Sequence, residues 1–488
     1  MKQKRRIRIK RTLKTRIKNG IFRVRNIFSL ISFILVVLFI VFLGKMNLLP
    51  NRYLFLIGEG LVILDLISIF LINVHKKIGL KILGGIIMGL LTIICSVGLY
   101  YTITTSQFLE NAFTKKMDVE KSTYYVVSAK SNNYKESDIA GEVSVYDGTI
   151  HMDKALDKLN NKYKVKTKKY DEVGKLFDNV LNKTDKFMLV EKTSYEIVFS
   201  ISKDYKRDDF DIIYKYDIYT KRKNSGSSKT DKFNIYISGT DFSGLTDFNM
   251  LATVNTKTHK VLLTSIPRDY YIDVAGRNGV KDKLSFMGAY GGSVSKDSLA
   301  KLFGVDVDYI VTLNTDSLVE IVDYVGGIDF CSDKTYTTTH ALVRDTYNDN
   351  GKKLTIVKGC QHLNGIEALT LARERNAFPG RDRERQKNCQ QILIAILKKL
   401  MSTDTMLHYN ETLNTLGTLY DTDISKNVIS NVSKDVVNNG NKWKFETQSV
   451  DGTDKKDRVH SSGMIDWVMY PSQKTVDAAK NKINETLK

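Results

Sequence analysis

The chain has no C-x-x-C pair. Its four cysteines, Cys95, Cys331, Cys360 and Cys389, stand far apart, which leaves a zinc or iron–sulfur site without support. Internal repeats are missing as well, so a solenoid or propeller is not indicated. Residues 2–25 contain no acid but hold twelve Lys or Arg. No helix-turn-helix pattern accompanies this basic arm, and an apolar run begins within a residue or two of it, leaving little reach toward DNA. That run is not followed by a small-residue cleavage site and has a long charged lead, so it does not read as a removable signal peptide.

At 488 residues the chain is long enough for about three domains at roughly 150 residues each. Aliphatic and aromatic residues are plentiful, which argues against wholesale disorder. The formal net charge is +20, but the arm supplies much of it, so the rest of the protein is only mildly basic. Three apolar stretches follow, Ile27 to Gly44, Tyr53 to Val74 and Ile82 to Tyr101, each close to the length needed to cross a bilayer. Gly84, Gly85 and Gly89 in the third would allow close helix approach. The positive-inside rule places the arm in the cytoplasm, and an odd number of crossings then puts everything after Tyr101 outside. Glu59 and Asp65 interrupt the second stretch. A buried polar contact is the simpler explanation for such residues, with transport as the alternative.

The reading is therefore a basic cytoplasmic arm (1–26), three transmembrane helices (27–101), a small mixed accessory domain (102–221), a Gly/Ser/Lys linker (222–231), an α/β (α+β) domain with a central mixed sheet (232–400), and a C-terminal extension packed on it (401–488). In the accessory region Tyr124 to Val127 and Tyr195 to Phe199 are strand-like, and Val173 to Leu181 is helix-like. From Phe233 a strand runs to a turn at Ser238 to Asp241, and Met250–Val254 with Val261–Ile266 form a hairpin. Tyr309 to Leu313 is a strand. Asp316 to Tyr324 is a helix, with Ser317 and Glu320 at capping-box spacing. Asn364 caps a second helix that runs to about Arg373, with Glu367 three residues on. After Pro379-Gly380 comes a third, with apolar residues at 389, 392, 393, 396, 397 and 400. Trp443 to Val450 and Val476 to Leu487 add a strand and a closing helix. Cys331 and Cys360 either close a loop of about thirty residues as a disulfide or remain as two buried thiols.

Three clusters carry chemistry. Asp241 and Asp247 lie on the loop leaving the first strand and could share a hard cation, though Asp in turns more often caps backbone groups. Pro267-Arg268-Asp269 ends a hydrophobic strand, and Lys281-Asp282-Lys283 follows. Strand ends gather functional residues, and an Arg fork matches phosphate oxygens; a surface Arg–Asp pair is the bland alternative. The third cluster is Arg373-Glu-Arg375 with Arg381-Asp-Arg-Glu-Arg385. Arg373 and Arg375 diverge on a continuous helix and converge only if it ends near them, which the Asn376 to Gly380 segment allows. Arg385 opens the next helix, whose N-terminus favours anions. Crowded arginines repel one another unless anions sit between them, which weighs against a merely solvated loop.

Together these segments resemble the LytR-CpsA-Psr family of cell-wall glycopolymer transferases. The resemblance runs through Ile237-Ser-Gly-Thr-Asp241, Asp247-Phe-Asn, Ser265-Ile-Pro-Arg-Asp269, Lys281-Asp-Lys-Leu284, Gly288-Ala-Tyr-Gly-Gly292 and Val325-Gly-Gly-Ile-Asp329. It continues with Leu363-Asn-Gly-Ile-Glu-Ala-Leu369, Ala372-Arg-Glu-Arg375 and Asp382-Arg-Glu-Arg385. The three spans and the extra domain are similar to the CpsA-type branch. What the resemblance implies is a multi-pass protein of a Gram-positive cell membrane with its large domain extracellular. It would move a polyprenyl-diphosphate-linked glycan (capsular polysaccharide or teichoic acid) to peptidoglycan through a phosphodiester, with Mg2+ or Mn2+ as cofactor and no nucleic acid as partner. By position Arg268, Arg373, Arg375 and Arg385 would grip the diphosphate, with Lys283 assisting. Asp241 and Asp247 would hold the metal, and one carboxylate would help deprotonate the sugar hydroxyl. The polyprenyl tail would lie in an apolar cavity. Where the family usually carries Gln after the Asn of the last motif, this chain has Cys389; Gln390, next along, is left as the substrate contact. The loop from Asp241 to Asp247 is shorter than in many members. Two other functions compete: a membrane-bound transcriptional regulator or attenuator, and a polyprenyl-diphosphate hydrolase with water as acceptor.

Overall fold

The three apolar runs become three helices. The computed structural model describes residues 2–46, 49–73, 77–117, 119–146, 148–221, 227–241, 243–344, 347–402 and 420–488. Within α1 (Lys2–Met46), α2 (Asn51–Asn73) and α3 (Ile78–Met117), the stretches Val24–Met46, Asn51–Asn73 and Ile78–Thr104 are long and apolar enough to cross a membrane. Asp65 is fully buried and accepts a hydrogen bond from Ser32 Oγ of α1 at 2.6 Å. This is the interhelical polar contact a bilayer core favours. Glu59 is exposed on the same helix. Only one of the three glycines expected to admit a neighbour does so. A Cβ on Gly84 would lie 2.8 Å from the Leu71 side chain, whereas Gly85 and Gly89 meet nothing within 4 Å; Gly98 seats Phe39 instead.

Two sheets organise the other unit, Asn111–Ile429 with Asn439–Lys488. In the first, β1 (Val119–Ala129), β2 (Glu142–Tyr146), β3 (Lys166–Tyr170), β4 (Phe187–Glu191) and β5 (Phe210–Lys221) lie in the order β3-β2-β4-β1-β5. α4 (Met152–Tyr163) covers one face through Met152, Ala155 and Leu159. The other face takes α5 (Val173–Leu181) and α6 (Lys192–Ile201). The strand expected over Tyr195 to Phe199 is therefore a helix. Its β-favouring residues are overridden by the preceding cap, in which Glu191 accepts from the backbone N–H groups of Thr193 and Ser194. Tyr195, Ile197 and Val198 are then buried on helical spacing.

Glu191 makes the stability of this unit pH-dependent. Burial, opposed by those two N–H groups, pushes its carboxyl up to about 7. The folded state thus holds a proton that the unfolded chain has released, so stability falls as pH rises from about 4.5 through 7. Glu191→Gln is expected to flatten that slope. Chemical denaturation of both proteins at pH 5 and pH 8 checks it; equal slopes would refute the assignment.

The second sheet is mixed. β6 (Lys232–Thr240), β7 (Thr246–Asn255) and β8 (Lys260–Ser265) form an antiparallel meander. The chain continues through β9 (Tyr271–Asp273), β10 (Lys281–Lys283), α7 (Val294–Phe303), β11 (Tyr309–Asn314), α8 (Thr315–Tyr324), β12 (Ile328–Ser332), β13 (Tyr336–Arg344), β14 (Tyr347–Ile356), β15 (Gly359–Leu363), α9 (Gly365–Arg373) and α10 (Asp382–Leu400). It ends with β16 (Tyr420–Thr422), α11 (Lys426–Asn439), β17 (Lys444–Ser449), β18 (Gly452–Arg458), β19 (Ile465–Pro471) and α12 (Gln473–Leu487). The central order is β16-β11-β6-β7-β8-β17, with β11 parallel to β6 and β17 parallel to β8. Strands β16 and β17 come from the segment read as an extension at 401–488. α7 and α12 pack one face around Tyr236, Leu251, Leu299 and Ile483. α8, α9 and α10 build a separate core with β12 and β15 through Val322, Phe330, Leu363, Leu371 and Ile392. The cap of α8 is Asn314, which accepts from Ser317 N; it sits two residues before the start read from Asp316.

The two sheets are joined by apolar packing of Ile197 on α6 against Leu245, Phe286, Ala289, Val459 and Val468. Of the linker at 222–231, residues 222–226 lie outside the described residues. Ser227 and Lys229 beyond them bind Asp308 and Asp306 at 2.9 Å each.

Cys331 and Cys360 are direct partners in the β12–β15 ladder and form a disulfide; Cys95 and Cys389 are free and buried. Cross-linking residues 29 positions apart restricts the unfolded chain. Replacing both by Ser is expected to cost about 2 kcal/mol, toward the low end of the usual range because the ladder already holds the pair in register. Urea unfolding of the variant beside the wild type, the latter with and without reductant, measures it.

Candidate active site

A parallel strand pair leaves a crevice beyond its carboxyl ends, the place where ligands bind in open α/β sheets. Here β6 and β11 make that crevice, and α8, α9 and α10 roof it. The resulting pocket, open at its mouth, spans about 770 Å3 with the solvent space at that mouth included. Ile237, Phe248, Leu313, Leu318, Leu369, Ile392, Leu393 and Ile396 give it an apolar interior, and Asp241, Asp247, Arg373 and Arg385 supply charge on its wall. Cys389 also lines it, donating its thiol to Ala372 O at 3.4 Å.

The arginines converge for a local reason. α9 stops at Arg373 because Glu374 adopts an extended backbone (φ −70°, ψ 124°), so Arg373 and Arg375 are no longer forced apart. Arg381, after Pro379-Gly380, has a positive φ of 41° and turns the chain into α10. Arg385 then lies in the first turn of that helix, buried, with its guanidinium on Asp382 Oδ1 at 2.7 Å and on the Asp247 carbonyl at 2.9 Å. Arg268 pairs with Asp247, and Arg375 lies 3.8 Å from the same carboxylate oxygen and 3.4 Å from Asp382. Three guanidinium groups therefore gather around one loop. Burial, then repulsion from Arg385 and Arg268, pulls Arg375 down to about 10. Burial works to raise Asp382, but Arg385 and Arg375 outweigh it and hold its carboxyl below the usual range. Asp247, Asp382 and Asp269 match the three guanidinium groups in number, so what the cluster offers an anion is a set of forked donors converging on one place.

Two residues proposed for the site from sequence lie elsewhere. Lys283 is buried between Asp269 at 2.8 Å and Asp466 at 2.7 Å, over the ring of Phe286. Its charge is spent on carboxylates, because the hairpin of β18 and β19 places Asp466 beside it. It reaches the site only through Asp269, which also lies 3.6 Å from Arg268. Gln390 is buried with its amide on the carbonyls of Gln448 (2.7 Å) and Leu263 (3.4 Å). One residue along a helix is a turn of about 100°, so Gln390 faces the sheet and Cys389 faces the cavity. Asp382 was missed as a site residue, although its spacing of three before Arg385 is the usual signature of a helical ion pair.

Asp241 and Asp247 line the same cavity but are held differently. Asp241 Oδ1 accepts from Ser243 N, Ser243 Oγ and Leu245 N at 2.9, 2.5 and 3.1 Å, an Asx-type turn that fixes the carboxylate. Asp247 Oδ1 faces Arg268. Among the described residues no group of three His, Cys, Asp or Glu could enclose a metal. No hydrogen bond among the described residues takes the second oxygen of either carboxylate, which suits a cation that keeps waters and takes substrate phosphate oxygens, as Mg2+ does.

Residues 187–485 match the LytR_cpsA_psr family. The curated relatives include polyisoprenyl-teichoic acid–peptidoglycan teichoic acid transferase TagU of Bacillus mycoides (strain KBAB4), 32% identical over 213 residues; the match covers 43% of this chain and 63% of that protein. The TagU protein of Enterococcus faecalis (strain ATCC 700802 / V583) is 26% identical over 278 residues, covering 55% and 83% of the two chains. Among solved structures, TagV of B. subtilis aligns with 22% identity and a TM-score of 0.44 over 53% of this chain and 98% of that one. TagT bound to LIIa-WTA aligns with 24% identity and a TM-score of 0.41 over 53% and 91%.

Proposed function

The chain belongs to the LytR_cpsA_psr family, and from that membership we propose that it transfers a polyprenyl-diphosphate-linked glycopolymer, a teichoic acid or capsular polysaccharide, to peptidoglycan outside the membrane. The observation that carries the reading is the gathering of Arg268, Arg375 and Arg385 around Asp247 on the wall of an apolar cavity. A lipid diphosphate is the ligand that needs both halves. The transferase name of the TagU relatives supports the same substrate class. The positively charged arm before the first span and the Cys331–Cys360 disulfide support an outward-facing, oxidising location.

In this mechanism the polyprenyl tail enters the cavity among Leu313, Leu318, Leu393 and Ile396. The diphosphate sits against the guanidinium groups, with Arg373 reaching it from the end of α9. A peptidoglycan hydroxyl attacks the phosphorus that carries the glycan. Its bond to the bridging oxygen breaks, a phosphodiester forms, and polyprenyl phosphate leaves. The hydroxyl proton passes to a cavity carboxylate, Asp241 or Asp247. Fixed arginines stabilise the negative charge that builds on the phosphoryl oxygens, without reorganising as the reaction proceeds. Asp241 and Asp247 would hold Mg2+ or Mn2+, which neutralises phosphate charge when bound.

The test uses the full chain in nanodiscs with a labelled polyprenyl-diphosphate glycan, Mg2+ and peptidoglycan fragments. Label entering peptidoglycan with release of polyprenyl phosphate is the expected result. Release of free glycan phosphate alone would establish a hydrolase and overturn transfer.

A further inference from the structure

Glu374 stands between Arg373 and Arg375, fully buried, yet it has no ion pair with either neighbour among the described residues. Its Oε1 accepts from the backbone N–H groups of Asn376 and Ala377 at 2.7 and 3.0 Å and from Thr339 Oγ1 at 2.9 Å. Its Oε2 accepts from the backbone N–H groups of Thr339 and His340. The carboxylate thus ties two segments together: the chain after α9, and strand β13 of the β13–β14 hairpin.

We propose that Glu374 is a positioning residue for the anion site, holding the break after α9 so that Arg373 lines the cavity and Arg375 reaches Asp247 and Asp382, while Glu374 itself pairs with neither guanidinium. This rests on the transferase reading above. An acid between two arginines ordinarily neutralises one of them, but here every bond the carboxylate makes is to an amide or a hydroxyl. The energetic reason is plain. A buried carboxylate needs several donors, and the backbone N–H groups of Asn376 and Ala377, which the break after α9 frees from helical bonding, supply two of them. The carboxylate organises the turn and the turn stabilises the carboxylate. Burial opposes ionisation, but the N–H groups of Ala377 and Thr339 and the Thr339 hydroxyl outweigh it and keep the acid ionised.

Charge and positioning predict opposite signs, which makes the role measurable. Removing a negative charge beside arginines should by Coulomb attraction alone tighten the binding of an anion. Loss of positioning should weaken it. The experiment is calorimetric titration of the full chain in detergent with inorganic pyrophosphate, without metal, comparing wild type, Glu374→Gln and Thr339→Val, with melting temperatures recorded alongside. Glu374→Gln is expected to raise the Kd about tenfold, because one amide oxygen cannot replace two carboxylate oxygens on the donors. Thr339→Val keeps the charge and all four backbone donors, losing only the hydroxyl, and is expected to raise it about threefold. Unchanged or tighter binding by folded Glu374→Gln overturns the inference alone. If Glu374→Gln does not fold, Thr339→Val decides: a Kd equal to wild type overturns the proposal. Failure of wild type itself to bind pyrophosphate overturns the anion site and this role with it.

Discussion

Arg375→Ala is expected to slow glycopolymer transfer by about two to three orders of magnitude, the usual effect of removing one fixed donor from a charge-stabilising site. Arg375 is singled out by its surroundings. Its ion pairs are long, 3.8 Å to Asp247 and 3.4 Å to Asp382, and burial with two arginine neighbours outweighs the pull of Asp382 and brings it down to about 10. A side chain destabilised by its neighbours is kept because something else uses it. The folded protein should accordingly tolerate its loss, and the melting temperature is expected to stay level or rise by a degree or two, since repulsion from Arg268 and Arg385 goes with it. Activity and stability moving apart is the signature. Initial rates with labelled lipid-linked glycan, beside a thermal melt, would show it. A rate within threefold of wild type would remove Arg375 from the mechanism. Arg375→Lys should recover little, because an ammonium lacks the planar fork that meets two phosphate oxygens at once.

Filling the apolar cavity should hit a different parameter. Leu318 and Leu393 both line it, and both are only partly buried, so a larger side chain can enter the empty space with limited strain on the core. Leu318→Trp is expected to raise KM for a long-chain polyprenyl substrate about a thousandfold if it excludes one five-carbon isoprene unit, at roughly 0.8 kcal/mol for each buried carbon. A substrate with a truncated lipid should lose far less. Comparing the two substrates on the same variant separates blocked lipid from general damage. Equal penalties for both would mean that the cavity does not hold the tail.

Most of the architecture is legible in the sequence because local signals agree with the fold. Asn364 with Glu367 marks the start of α9 and forms the expected reciprocal cap, and the apolar stripe from residue 389 gives α10. Local patterns fail where a distant or preceding group decides. Tyr195 to Phe199 favours a strand by composition, but the Glu191 cap makes it a helix. Gly84 and Gly85 are indistinguishable as neighbours in sequence, yet only Gly84 faces another helix. In the site, the arginines and the two aspartates are readable from type and spacing. The fates of Lys283 and Gln390 are not, because Asp466 and the Gln448 carbonyl arrive from far along the chain. Nor is the shape of the cavity, since α8, α9 and α10 must all be in place before its walls exist.

The strand β17 is the last to join the central sheet, and it pairs with β8, which is made almost two hundred residues earlier in the chain. α12 follows it and reaches back to the same sheet, where Asn255 donates to the carbonyl of Thr486 at 2.8 Å. A ribosome delivers residues in order, so the meander from β6 to β8 must wait with one edge uncovered until the final segment emerges. An open edge of that kind recruits other strands. Synthesis and folding of this domain are therefore bound to one another in time: a chain stalled anywhere before residue 444 leaves an adhesive, half-finished sheet.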